Sequence, residues 1–155
     1  MTRLTMVAAR RLAGLLMAVA AATSVTAGEK MVNTGPDAVA IKGYDTVAYF
    51  TEAQATKGKQ AFAFSWNDAQ WYFASAAHRD TFASDPERYA PRFGGSCSMG
   101  LSKGKKVAAD PEVWTIVDGR LYLYFSREAR DKFRQNTSAS IKQAETNWEK
   151  VQKSR

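Results

Sequence analysis

Two hairpin signals, each followed by a helix signal, predict an α+β fold with antiparallel strand pairing. Asn67-Asp68-Ala69 separates two aromatic-rich runs. Asp118-Gly119 separates two apolar runs and supplies the positive φ that a two-residue hairpin loop needs. After each hairpin the spacing of apolar residues changes from that of a strand to that of a helix. We therefore predict two antiparallel β-hairpins, each followed by short helices, and an amphipathic helix at the C-terminus.

The first 27 residues have the composition of a secretory signal peptide. Arg3, Arg10 and Arg11 precede an apolar run over residues 12–22, and small residues lead to a predicted cleavage site after Ala27. The apolar run is about 11 residues long, whereas a membrane-spanning helix needs roughly 20. We expect export by the Sec route rather than the twin-arginine route. The product would be periplasmic or secreted, without a stable membrane anchor.

The remaining residues, 28–155, suit a single domain with a core over about 37–152. Cleavage removes three arginines and no acidic residue, so the formal net charge falls from +7 to +4. Because these charges are scattered and the protein is exported, we expect no binding to nucleic acid. One cysteine excludes an intramolecular disulfide, so the core alone must hold the fold.

The first part of the mature chain combines strand, turn and cap signals. Asp45 can cap a helical turn, because its carboxylate can accept hydrogen bonds from the next free backbone N–H groups. Alternating aromatic residues favour a strand with one buried face. The predicted elements are a short strand at 39–41, a helical turn after Asp45, a surface loop over 51–60, and hairpin strands over 61–66 and 70–73.

Three helix-start signals follow the two hairpins. Ser75 is predicted to begin a helix that carries His78 and Phe82 on one face, and the capping box Ser84-Asp85-Pro86-Glu87, with Ser84 as the cap, is predicted to begin a second short helix. Ser126 caps a helix that ends near Gln135. Other predicted elements are a break at 93–95, a short helix through 97–101, strands over 113–117 and 121–125, an interruption over 136–140, and a final helix through Ile141, Ala144, Trp148 and Val151. We expect no internal repeat beyond the two hairpins.

Four segments together resemble the YHS domain family: residues 42–50, 71–82, 85–89 and 93–97. The most specific part is an aromatic residue followed by Ser75, His78, Phe82, the sequence Asp85-Pro86-Glu87, and Tyr89. Tyr72, His78 and Ser75 would supply the tyrosine, histidine and serine of the family name. The match covers most of the mature chain.

The resemblance implies a small hairpin-plus-helix module. Some relatives are fused to copper-exporting ATPases, and metal binding is the usual inference for the family. The metal-handling members carry cysteines at two positions where this chain has Ala48 and Ala74. His78 stands where a second cysteine often stands in those members.

The candidate site is defined by scarce residue types. His78 is the only histidine and Cys97 the only cysteine, so any imidazole or thiolate chemistry must use them. With Met99 they form a soft ligand set that favours copper over hard cations. Zinc is less expected, since structural zinc normally has four protein ligands. We predict a module that buffers copper or transfers it to a metal-handling protein, with His78 and Cys97 brought together by the loop after the double glycine.

Each of these residues also has a structural interpretation. His78 could be a hydrogen-bonded histidine at a helix start, Cys97 a buried and inert thiol, and Met99 a core residue. Asp45 is most simply a helix cap, with orientation of His78 as the alternative. The alternative functions are a thiol-based redox or nucleophilic protein, with a Cys97 thiolate and His78 as base, and a non-catalytic interaction module.

Overall fold

The structure is a computed structural model that describes residues 32–35 and 37–154, so the predicted signal peptide lies outside the described residues. Within them the fold is the predicted α+β arrangement: two antiparallel hairpins, short helices and a long C-terminal helix. None of the helices in this part of the chain combines the length and apolar composition that a membrane span needs.

The elements fall into two halves, and each half contains one two-stranded antiparallel sheet. The first half comprises a 3₁₀ turn at Ile41–Gly43, α1 (Ala48–Thr51), β1 (Lys59–Trp66), β2 (Ala69–Phe73), α2 (Ala76–Ser84) and α3 (Pro86–Tyr89). The second half comprises a 3₁₀ turn at Arg92–Gly95, α4 (Ser98–Ser102), β3 (Asp110–Val117), β4 (Arg120–Tyr124), α5 (Arg127–Gln135) and α6 (Thr137–Lys153).

Ser75 and Ser126 begin the helices that they were predicted to begin. The Ser75 hydroxyl accepts from the backbone N–H of the residue three positions on at 3.2 Å, and the Ser126 hydroxyl does the same at 3.2 Å. The capping box predicted from Ser84 is displaced by one residue, because Ser84 is the last residue of α2, and Asp85 caps α3 by accepting from Arg88 N at 3.3 Å. Each bond satisfies an N–H group that has no partner within its helix, so these residues fix where the helices start.

Two local predictions are wrong. The strand expected at 39–41 is absent, because Val39 and Ala40 form only isolated bridges and the chain then enters the 3₁₀ turn. The interruption expected over 136–140 is Asn136 alone. Its side chain accepts from the N–H of Ala139 at 3.4 Å, so α6 begins at once.

The two halves repeat one structural unit, although the sequence analysis expected no repeat beyond the hairpins. Every element from the first 3₁₀ turn to α2 recurs in the same order roughly 50 residues later. Both hairpins have a register irregularity at the same place, between Lys59 and Ala63 and between Asp110 and Trp114. The fold therefore contains two copies of a turn, helix, hairpin, helix unit.

Sequence identities support the repeat at α2 and α5. A serine cap, an adjacent arginine and aspartate, and a buried phenylalanine recur at the same spacing. The adjacent pair forms an ion pair in both copies, at 2.9 Å in α2 and at 3.0 Å in α5. The equivalent residues are Ser75, Arg79, Asp80 and Phe82 in the first copy and Ser126, Arg130, Asp131 and Phe133 in the second.

The same correspondence pairs Asp45 with Cys97. The backbone N–H of Asp45 donates to Thr56 O at 2.8 Å, and that of Cys97 donates to Val107 O at 2.8 Å. Each residue precedes the short helix of its half. At the position equivalent to His78 the second half has Ala129. The histidine therefore has no counterpart in the second copy.

The 3₁₀ turns of the two halves lie against each other. Asn33 connects them, because its N–H donates to Gly94 O at 2.6 Å and its carbonyl accepts from Ile41 N at 3.3 Å. Gly95 has φ +77°, and a Cβ there would overlap the Ile41 side chain. Only glycine combines that backbone conformation with so close an approach.

Each half has an aromatic cluster around a fully buried phenylalanine. Phe82 contacts four rings with centroids 5.0–6.1 Å away, those of Phe64, Trp66, Trp71 and Phe73. Phe133 contacts Tyr122 and Tyr124 at 5.9 and 5.3 Å. Helix α6 completes the second half by packing on α4, with Ala144 fully buried at its centre.

We expect Phe82→Ala to lower the free energy of unfolding by about 3–5 kcal/mol, because it removes a buried ring and leaves a cavity. Phe133→Ala should cost slightly less, since fewer rings surround it. Chemical denaturation of the two variants measures both values. As a control, Phe125→Ala changes a side chain that is 62% exposed and should stay within about 0.5 kcal/mol of the parent. Equal stability of Phe82→Ala and the parent would contradict this account of the core.

Burial also makes stability depend on pH at the alkaline end. Loss of hydration raises the pKa of Tyr124 to about 12 and raises the pKa of Tyr49, whose hydroxyl donates to Pro111 O at 2.7 Å, well above 10.0. The unfolded chain releases these protons first, so we expect the free energy of unfolding to fall as pH rises above about 10. Denaturation at a series of alkaline pH values measures this slope, and Tyr124→Phe should reduce it. A flat profile would contradict the prediction.

Candidate functional site

A fully buried carboxylate organises the first half. Asp45 lies in the bend before α1, and its Oδ1 atom accepts from Val47 N at 2.9 Å and Ala48 N at 3.2 Å. Its Oδ2 atom accepts from Ala74 N, just after β2, at 2.8 Å. Three backbone donors thus stabilise the charge of a carboxylate that has no exposed surface. The predicted capping role of Asp45 is confirmed.

The same carboxylate holds His78. The distance from His78 Nδ1 to Asp45 Oδ2 is 2.6 Å. Since a carboxylate can only accept, we assign the hydrogen to Nδ1, which leaves the Nε2 lone pair available in the neutral imidazole. Ser75 begins α2 so that His78 stands in its first turn, directly above the carboxylate. The alternative role weighed for Asp45, orientation of His78, is present in the structure.

The free nitrogen of His78 faces a small polar site at the surface. Nε2 lies 3.5 Å from Thr51 Oγ1 and 3.6 Å from Glu52 Oε1. The His78 side chain is 17% exposed and that of Glu52 is 46% exposed, so solvent reaches both. Two carboxylates flank one imidazole, a combination that attracts a cation.

Cys97 occupies a different environment, in the second half. It is 2% exposed, and its Sγ atom accepts from Gly100 N at 3.4 Å at the start of α4. This contact is the counterpart of the bond from Ala48 N to Asp45 Oδ1 in the first half. The thiol therefore acts as a helix cap here.

Met99 is partly buried against the core. Its Sδ atom lies 3.6 Å from the Ser102 hydroxyl, which donates to the Met99 carbonyl at 2.8 Å. Among the contacts of the described residues, none joins His78 to Cys97 or Met99. The structure brings together Asp45, His78 and Glu52 in the first half, and it places the two sulfur atoms in the second.

Residues 32–35 and 37–154 contain no group of three or more histidine, cysteine, aspartate or glutamate side chains arranged to hold a metal ion. Among these four residue types, a metal at His78 would therefore find Nε2 and the Glu52 carboxylate, because Asp45 is bound to the opposite ring nitrogen. The remaining coordination positions would be open.

The sequence analysis missed Glu52. It lies within a stretch that was predicted to be a surface loop, and no spacing relates it to His78. Its position follows from α1, which Asp45 begins and which places Thr51 and Glu52 at its end. The contact could be found only by knowing that Asp45 caps α1 and binds His78 at the same time.

We compared the chain with known protein families, curated proteins and solved structures. None of the three comparisons found a match. The resemblance to YHS domains therefore stays an expectation that rests on the residues themselves.

We expect Asp45→Asn to reverse the tautomer of His78. An asparagine amide can donate to Nδ1, which would move the ring hydrogen to Nε2. The same amide could not accept from the backbone N–H of Ala74, and leaving that group unsatisfied would cost about 1–3 kcal/mol. Long-range proton–nitrogen NMR spectra of the imidazole measure the tautomer directly. Glu52→Gln is the control and should keep hydrogen on Nδ1. A parent protein with its hydrogen on Nε2 would contradict the assignment.

Proposed function

We propose that this protein is an exported metal-binding module, with copper as the favoured metal and His78 Nε2 as the central ligand. The observation that carries the proposal is the 2.6 Å hydrogen bond from His78 Nδ1 to the buried Asp45 carboxylate. Metal-binding histidines usually donate their second ring N–H to a carboxylate or carbonyl, which fixes the tautomer and makes the free nitrogen a better ligand. The predicted signal peptide supports the exported location.

Glu52 is the second proposed ligand. Two atoms that each lie about 2.0–2.2 Å from one ion are separated by up to about 4 Å. The observed distance of 3.6 Å between Glu52 Oε1 and His78 Nε2 falls within that limit. The half-exposed Glu52 side chain can also rotate to adjust the distance. The proposal thus places Glu52, rather than Cys97 or Met99, beside the imidazole.

The donor atoms favour copper in its oxidised form. One imidazole nitrogen and one carboxylate oxygen suit Cu(II), and divalent copper binds such ligands more tightly than the other first-row metals. Zinc fits less well, because structural zinc takes four protein ligands. Two protein donors leave positions open for water or for a ligand from a metal-handling partner. Such a site suits buffering or transfer of the metal.

A second candidate is acid–base catalysis, which one contact favours. Thr51 Oγ1 lies 3.5 Å from His78 Nε2, so carboxylate, imidazole and hydroxyl follow each other as in nucleophilic hydrolases. The Thr51 hydroxyl, however, donates its hydrogen to Val47 O at 3.2 Å. In this arrangement the hydroxyl does not donate to His78 Nε2, as it would in a nucleophilic hydrolase. Covalent labelling of Thr51 by a hydroxyl-directed phosphonate would support this candidate over metal binding.

We expect Cu(II) titration, followed by electron paramagnetic resonance, to show one site with nitrogen and oxygen ligands. His78→Ala should abolish this signal. Asp45→Asn should weaken binding about 10- to 100-fold, because it removes the group that orients the imidazole. Glu52→Gln should weaken it by a similar or smaller factor, since it removes a charged ligand.

Cys97→Ser and Met99→Leu are the matched controls for this titration, because they test the sulfur ligands predicted from the sequence. We expect both to bind Cu(II) as the parent does. Loss of binding in these two variants, with unchanged binding in Glu52→Gln, would assign the metal to the sulfur atoms instead. No binding by the folded parent would remove the metal proposal.

A further inference from the structure

A second potential site lies between the two halves and the C-terminal helix. The cavity has a volume of about 210 Å³ and is bounded by the first hairpin turn, the second 3₁₀ turn and the last turns of α6. Its main lining side chains are those of Trp66, Trp71, Glu87, Arg92, Phe93 and Trp148. None of the residues of the proposed metal site lines it, so the two sites are distinct.

Flat aromatic walls define the shape of this cavity. The rings of Trp66 and Trp71 lie 5.7 Å apart, and those of Phe93 and Trp148 lie 6.2 Å apart. An apolar cavity of about 150 Å³ is enough to bind benzene. The observed volume therefore suits a single aromatic ring with one short substituent, and is small for a drug-sized molecule, whose pocket is roughly 300 Å³ or more.

The polar lining residues are Asn67, Glu87, Arg92 and Gln152. We base the choice of ligand on the donors of Arg92 and of the indole rings. Arg92 is held at one edge by Glu145, with 2.9 Å between Nη2 and Oε1, and its Nε atom is buried without a partner among the described residues. Trp71 uses its indole N–H to bind Trp66 O at 2.9 Å. The indole N–H groups of Trp66 and Trp148 have no hydrogen-bond partner within residues 32–35 and 37–154, so both can bind a ligand.

The charged side chains that line the cavity determine whether it favours an acidic or a basic ligand. Aromatic cages that bind ammonium groups need a wall free of positive charge, whereas here a guanidinium forms part of the wall. Both charged lining residues have a partner, since Glu87 has an interaction of its own and Arg92 pairs with Glu145, but the buried Nε of Arg92 keeps a donor that no described residue uses. A guanidinium and two indole donors complement a carboxylate.

We propose that this cavity binds a small aromatic carboxylate, with its ring between the tryptophan and phenylalanine side chains and its carboxylate at Arg92. The ligand is of the size of phenylacetate. Binding there needs no metal and no movement of the first-half site.

Phenylacetate is the probe for the test, and the indole N–H signals of the protein in proton–nitrogen NMR spectra are the readout. We expect saturable shifts for Trp66 and Trp148. Trp114 packs on Tyr49 away from the cavity, so its signal should not move. Phenylacetamide should bind more weakly and phenethylamine should not bind.

Arg92→Gln should weaken phenylacetate binding at least about tenfold, because it removes a charge-assisted hydrogen bond. Lys57→Gln removes the same charge outside the cavity and should have no effect. Trp148→Phe keeps a ring but removes an N–H donor and should weaken binding less than Arg92→Gln does. The spectra also report whether each variant is folded.

Three results would overturn the proposal. They are the absence of saturable shifts at millimolar phenylacetate, equal binding of the amine and the acid, and unchanged affinity in a folded Arg92→Gln variant. Preferential binding of phenethylamine would instead identify the cavity as an ammonium site.

Discussion

The buried carboxylate of Asp45 is the constraint on which the first half depends. A charge without exposed surface is tolerated only when hydrogen bonds replace its hydration. Asp45 obtains them from the start of α1, from the end of β2 and from the imidazole in α2. The same four bonds that satisfy the charge therefore fix three elements and present His78 Nε2 to solvent. Stability and the candidate chemistry depend on one side chain.

The second half repeats the fold of the first but lacks its pair of carboxylate and imidazole, so it shows what the fold alone requires. Cys97 caps α4 where Asp45 caps α1, and Ala129 stands where His78 would be. A weaker sulfur acceptor is enough to start a short helix that α6 covers. The fold itself thus needs an acceptor at this position, and only the first half adds a carboxylate with an imidazole. This difference is the strongest reason to seek function at His78.

Local signals predicted most of the fold. Asp118-Gly119 set a hairpin, and Ser75 and Ser126 set helix starts, because each acts on backbone groups within a few residues. The site depends on contacts that are distant in sequence, such as Asp45 with His78 and His78 with Glu52, which no local spacing encodes. The expectation that Cys97 joins His78 came from the scarcity of both residues, and scarcity carries no information about distance. The repeat was readable, since the serine, arginine, aspartate and phenylalanine of α2 recur in α5 at identical spacing.

The packing of α6 on α4 has a consequence for the order of assembly. The final helix supplies Ala144 to the core, the Asn147 amide that donates to Leu101 O at 2.8 Å, and the Glu145 carboxylate that holds Arg92. The first half contains its own carboxylate, hairpin and aromatic cluster, all of which precede α6 in the chain. The second half cannot close until α6 is available to cover α4, so the first half can assemble while the second is still open.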